Sequence, residues 1–137
     1  LHKAETNFLA GRIEEATKNA DIASTGIQVI SASYAKEAIR IRDEQDIGRI
    51  DKKTWRDDAA DALIPEFKAR GIAGADVMTS EEFVTGIRSV ESIAGDSLRK
   101  SALFFMDKDY STARGYASAA RTGYEIVNNI ITIGSLG

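Results

Sequence analysis

The sequence predicts an all-α protein: a long antiparallel helical hairpin, with one helix over about 3–70, a turn at 71–79 and a second helix over about 80–131, all in a single domain. Three observations predict this. Apolar and small residues recur in steps of three and four on both sides of residues 70–82. Within that stretch Gly71 and Gly74 lie close together, and glycine reaches positive φ at no steric cost, so a helix is expected to end near Arg70. Thr79-Ser80-Glu81-Glu82 then supplies a capping box, with the Thr79 hydroxyl taking a free backbone N–H and Glu82 reaching back, so a new helix is expected to start here. Met78 is placed to pack against Phe83 as a hydrophobic staple.

The first helix carries Ile13, Ala16, Ala20, Ala23, Ile27, Ile30 and Tyr34 on one heptad seam. Its alanines allow a partner helix to approach closely. From Lys36 to Asp61 the character changes, with seven positive and eight negative side chains among 26 residues, and the stretch reads as a solvated face. Lys52-Lys53-Thr54-Trp55-Arg56 mixes basic and aromatic residues, but the flanking Asp51, Asp57 and Asp58 favour the same solvated reading over a nucleic-acid contact. Pro65 lacks an N–H, so the helix either kinks there or breaks and restarts with Pro65 in its first turn.

The second helix presents Phe83, Ile87, Val90, Ala94, Leu98, Ala102 and Phe105, and then Ala113, Tyr116, Ala120, Tyr124, Val127 and Ile131, along one side. Ser111, Gly115, Ala119 and Gly123 recur every four residues, a spacing that lets helices pack backbone to backbone. Together with Ala23, Ile27 and Ile30 they are the expected helix-packing and oligomer-interface positions, while Gly71, Gly74, Thr79 and Glu82 form the turn or hinge. Replacing Gly115 and Gly123 together by Leu is expected to abolish an oligomer. Asp107-Lys108-Asp109 imitates the start of a calcium loop, but Thr112 and Ser118 stand where that loop needs Gly and Glu, so the helix is read straight through.

Folded about Ala75, the hairpin is a rod roughly 80–90 Å long at 1.5 Å per residue. It places the uncharged stretch 22–35 against 115–128, which holds only Arg121 and Glu125 as charges. Two helices cover only one stripe of each other, so assembly into an oligomeric bundle or ring is expected. The uncharged stretch of 14 residues spans about 21 Å, short of the ~30 Å hydrocarbon core, so a single chain is not expected to cross a bilayer unaided.

The chemistry available is narrow. The chain has no Cys and one His, at position 2, and no Ser lies in a nucleophile-elbow context. Gly71-Ile72-Ala73-Gly74 lacks the Lys and the preceding strand of a phosphate loop. No catalytic, cofactor-binding or metal-ligating residue is therefore assigned, and an enzyme is not expected. A formal net charge of -3 gives no basis for gripping nucleic acid, so DNA would be at most enclosed without specificity. Lys3 and Glu5 interrupt the first ten residues, so no secretory signal is read there.

Gly71, Gly74, Val77 and Ser80 in the turn, Arg114-Gly115-Tyr116-Ala117 and Ala119-Ala120-Arg121 in the second helix, and the terminal Ile133-Gly134-Ser135-Leu136-Gly137 carry a resemblance. Over about residues 30–137 the chain resembles the small internal virion, or ejection, proteins of short-tailed bacteriophages. It departs from them at Glu81, where a small residue is expected, and at the bulky Phe104-Phe105-Met106. The resemblance implies a structural virion component, partnered by copies of itself and by portal or other ejection proteins. It also implies a genome-delivery channel across the host envelope during infection, with conditional contact with the host membrane. The residues by themselves leave a second reading open, a soluble helical adaptor or secretion-needle-like subunit that never meets lipid.

Overall fold

The computed structural model describes residues 2–136, with side chains described from 5 to 134, and every regular element among them is helical. Four helices follow one another: α1 (His2–Asp46), α2 (Trp55–Ala69), α3 (Ser80–Met106) and α4 (Tyr110–Leu136), with a 3-10 turn at Ala75–Val77. The two long helices expected from the sequence are each interrupted, and the interruptions change the topology.

Between α2 and α3 the chain reverses through Gly71 (φ 68) and Gly74 (φ 84). The Ile72 N–H reaches the Phe67 carbonyl and the Gly71 N–H the Lys68 carbonyl, which closes α2 in a Schellman motif with glycine at the left-handed position. Thr79 then caps α3, its hydroxyl accepting the Glu82 N–H at 3.1 Å and donating to the Glu82 carboxylate at 3.0 Å. Glu82 thus reaches the Thr79 hydroxyl.

A second Schellman motif closes α3, and here the expectation of one continuous helix over 80–131 is corrected. The Asp109 N–H bonds to the Phe104 carbonyl and the Lys108 N–H to the Phe105 carbonyl, each at 3.0 Å. The left-handed position is occupied by Lys108 (φ 64) rather than glycine, so no glycine flags the corner. Asp109 caps α4, accepting the Thr112 N–H at 3.3 Å.

The first helix is likewise corrected: it breaks at 47–54 and not at Pro65, which sits exposed inside α2. The break passes through Gly48 and through Lys52 at φ 58, and it brings Trp55 and Arg56 back against α1. Burying an indole outweighs the loss of two or three helical hydrogen bonds in water.

Because α3 and α4 are folded back on each other, α1 meets α4 in parallel. Asp21 pairs with Arg114 at 2.8 Å, Gln28 with Arg121 at 3.1 Å and the Ala35 carbonyl with Asn128 at 3.0 Å, a constant offset of 93 residues. The uncharged stretches 22–35 and 115–128 do meet, but with the direction opposite to that of a hairpin folded about Ala75. Helix α3 runs antiparallel to α4, with Phe104 stacked on Tyr116 at 5.5 Å and the buried Ser101 hydroxyl donating to the Ala113 carbonyl at 2.7 Å. Helix α2 takes over from α1 along the end of α4 and packs on the first half of α3, where Phe67 meets Phe83.

The core is built mostly of small side chains. Among the described residues Ala32, Ala59, Ala94, Ala113, Ala117 and Ala120 are buried, beside the larger Trp55, Tyr124, Ile39, Ile87 and Val127. Helices therefore approach closely but bury little apolar area per residue.

Candidate interaction surface

The most concentrated polar site lies where α1, α2 and α3 meet. Arg56, 5% exposed, donates from Nη1 to Asp43 at 2.8 Å and from Nε to Glu91 at 2.9 Å, and its guanidinium lies 4.3 Å from the Trp55 ring centroid. Trp55 Nε1–H donates to the same Asp43 oxygen at 2.7 Å, and its backbone N–H to Asp46 at 2.7 Å. Partial burial pushes the Asp43 carboxyl up, but the hydrogen bonds from Arg56 and Trp55 outweigh it and hold Asp43 below its ordinary value. Desolvation acts against the Arg56 charge, and the bonds to Glu91 and Asp43 again prevail, so its proton is held more tightly. Tyr124, beside this cluster, is pushed up by burial and then by the Glu91 charge. Every member is committed to a partner, so the arrangement is a fixed ion bridge and a helix joint.

Asp46 completes the joint. Its second oxygen is buried without a hydrogen bond and faces Arg42 and Arg49 at 3.6 and 3.7 Å. Arg49 also reaches Asp51 at 2.8 Å and Asp58 at 2.5 Å. The stretch 36–61, read from sequence as a solvated face, is in part a folded hinge. With Trp55 only 2% exposed, the basic-aromatic run at 52–56 offers no ring for base stacking. The sequence did contain a signal for this: Thr54 with Asp57 three residues on resembles the start of a helix, and the Thr54 N–H does bond to Asp57 at 2.8 Å.

The expected packing residues fall into two groups. Gly123 faces α3, and a Cβ placed there would lie 2.9 Å from the Ala94 Cβ, so this glycine serves a contact inside the chain. Ser111, Gly115 and Ala119 are exposed, and a Cβ at Gly115 would meet nothing within 4 Å. The stripe of four is thus split between the core and the surface, and Leu at both Gly115 and Gly123 would damage the fold before it tested an oligomer. Ala23, Ile27 and Ile30 also face outward: Ile27 is 61% and Ile30 58% exposed, while the opposite face of α1 packs through Thr25, Ala32 and Ile39.

The uncovered face of α1 is continuous. Every described residue from 5 to 20 is exposed, including Phe8, Leu9 and Ile13, and this part of α1 projects past the start of α4. It meets the start of α4 through Lys18 over the Tyr110 ring and the Asp21–Arg114 pair, beside a pocket that Glu14 and Thr17 line with Asp109 and Tyr110. Farther along, an almost wholly apolar groove of about 380 Å³ lies between α1 and α3, with Val29 and Ile30 on one wall and Ala102, Phe105 and Met106 on the other.

Among the described residues no group of three or more His, Cys, Asp and Glu is placed to hold a metal ion, and no helix is long and apolar enough to cross a membrane. Comparison of the chain with protein-family models, with curated proteins and with solved structures gave no match.

Proposed function

We propose that this chain is a structural assembly subunit, an internal virion protein of the ejection type that joins copies of itself and portal or other ejection proteins in a bundle or ring. In this reading it resides in the virion and, during infection, in the host cell envelope, where it helps form a genome-delivery channel that encloses DNA without specificity. The phage role rests on the resemblance of residues 30–137. The assembly role is supported by one observation, the exposed face of apolar and small residues on α1 from Leu9 to Tyr34, on a helix whose other face is already packed. Exposed apolar faces of this extent mark interaction surfaces. No enzymatic activity is proposed.

A second reading of the same exposed face is a soluble helical adaptor or secretion-needle-like subunit that assembles without lipid contact. Liposome flotation of the purified protein, run beside a light-scattering mass in the same buffer, separates the two. Flotation with an oligomeric mass supports the channel reading. An oligomer that stays at the bottom favours the adaptor, and a monomer that does not float defeats both.

A further inference from the structure

The exposed residues of α1 form a heptad seam that lies opposite the packed face. Leu9, Ala16, Ala23 and Ile30 fill one core position of the repeat, and Ile13, Ala20, Ile27 and Tyr34 the other. The buried Thr25, Ala32 and Ile39 fall at the position farthest from the seam. Thr17, Ser24 and Ser31 flank it on one side and Asn19, Gly26 and Ser33 on the other, all small or uncharged. A helix that packs along one face and keeps a seven-residue apolar repeat on the other is shaped to receive a second helix, and the small flanks allow close approach.

We infer that the occupant is α1 of a second copy, docked antiparallel about a two-fold axis beside Ala20 and Ala23. In that register Ala20 meets Ala23, Ala16 meets Ile27, Ile13 meets Ile30 and Leu9 meets Tyr34 of the second copy. Small residues lie together at the axis and bulky pairs lie toward the ends, as two helices that cross closely require. At the flanking positions Arg40, which pairs with Glu37 and Glu44 of its own chain, lies opposite Glu5 of the second copy, and Arg12 lies opposite Ser33, so no like charges meet. A parallel pairing in register would instead set Glu37 against Glu37 on the seam.

Support from the rest of the fold points the same way. The projecting part of each α1, residues 5–13, would lie on the part of its partner that packs against α4, next to the groove that Phe105 and Met106 line. A parallel pairing would leave the two projecting segments supporting only each other. The inference rests on the assembly reading above and gives it a geometry.

The absence of native cysteine makes the test direct. Ile13→Cys and Ile30→Cys are made separately, both at exposed positions, and each variant is oxidised alone and in an equal mixture. A disulfide needs its Cα atoms within about 7 Å, whereas 17 residues of helix separate like positions of an antiparallel pair by about 25 Å. The expected result is a covalent dimer in the mixture and none in either variant alone. Self-cross-linking of either variant would show a parallel pairing and overturn the proposal. No cross-link with an oligomeric light-scattering mass would overturn this interface and leave the assembly reading standing. No cross-link with a monomeric mass would overturn both.

Discussion

Arg56 is the side chain on which the joint of three helices depends, because it is the cation shared by Asp43 of α1 and Glu91 of α3. Removing the buried guanidinium leaves the mostly buried Glu91 without its cation, while the half-exposed Asp43 keeps its bond from Trp55, so Arg56→Ala is expected to cost about 2 kcal/mol in urea unfolding. The pH dependence follows from the lowered value of Asp43. Its folded-state pKa lies below the ordinary 3.8, so its stabilisation is complete above that value and is lost as pH falls through the folded one. Asp43→Asn should be less stable than the parent at neutral pH, and the two stability curves should converge as the pH drops below 3.8. The two Schellman corners make a matched pair of predictions. Lys108 holds a left-handed conformation that costs an L-residue about 1 kcal/mol, so Lys108→Gly should stabilise by about 0.5–1 kcal/mol. Gly71→Ala, with φ at 68, should destabilise by about 1 kcal/mol. Equal and same-signed shifts in the unfolding midpoints would contradict this assignment of strain.

Helix α4 carries two glycines that look alike in sequence and differ in what surrounds them. Gly115 faces open space, so Gly115→Ala should gain about 0.5–1 kcal/mol from helix propensity alone. Gly123 abuts Ala94, so Gly123→Ala must push α3 and α4 apart and should destabilise despite the same propensity gain. Thermal midpoints that move in opposite directions would bear this out, and midpoints that rise together would refute the close contact. The spacing of four was legible; which of its members face a neighbour was not, because a period gives a face without saying what lies against it. The seam on α1 has the same character. Its repeat is plain in the sequence from Ile13 to Tyr34, yet the chain packs α1 through Thr25, Ala32 and Ile39 instead. Those three are less apolar as a set, and nothing in α1 alone ranks them above the isoleucines.

At the scale of the whole molecule, the core is rich in alanine and one face of α1 is uncovered, so the proposed assembly would couple stability to association. A protein that associates only when folded gains stability with concentration. The unfolding midpoint should therefore rise as protein concentration is increased over two orders of magnitude, and a constant midpoint would argue for a self-sufficient monomer. Hydrogen exchange in dilute solution should be fast over the exposed residues 7–13 and should slow with concentration if that segment gains a partner.

The sequence by itself determined that the chain is helical, that it reverses at Gly71 and Gly74, and that Thr79 starts a helix. Each of these is decided by backbone freedom or by hydrogen bonds within a few residues. Apart from the Thr54–Asp57 capping pattern at the start of α2, tertiary structure decided the corner at 107–109 and the break at 47–54, and with them the parallel pairing of α1 with α4. Lys52 and Lys108 at positive φ are locally unfavourable, so no local rule selects them. They are held in place by what the turns bring together: Trp55 and Arg56 against Asp43 and Glu91, and Ser101, Phe104 and Phe105 against the first turns of α4. The free energy that sets these turns comes from contacts between residues distant in sequence, and a reading along the chain cannot weigh it.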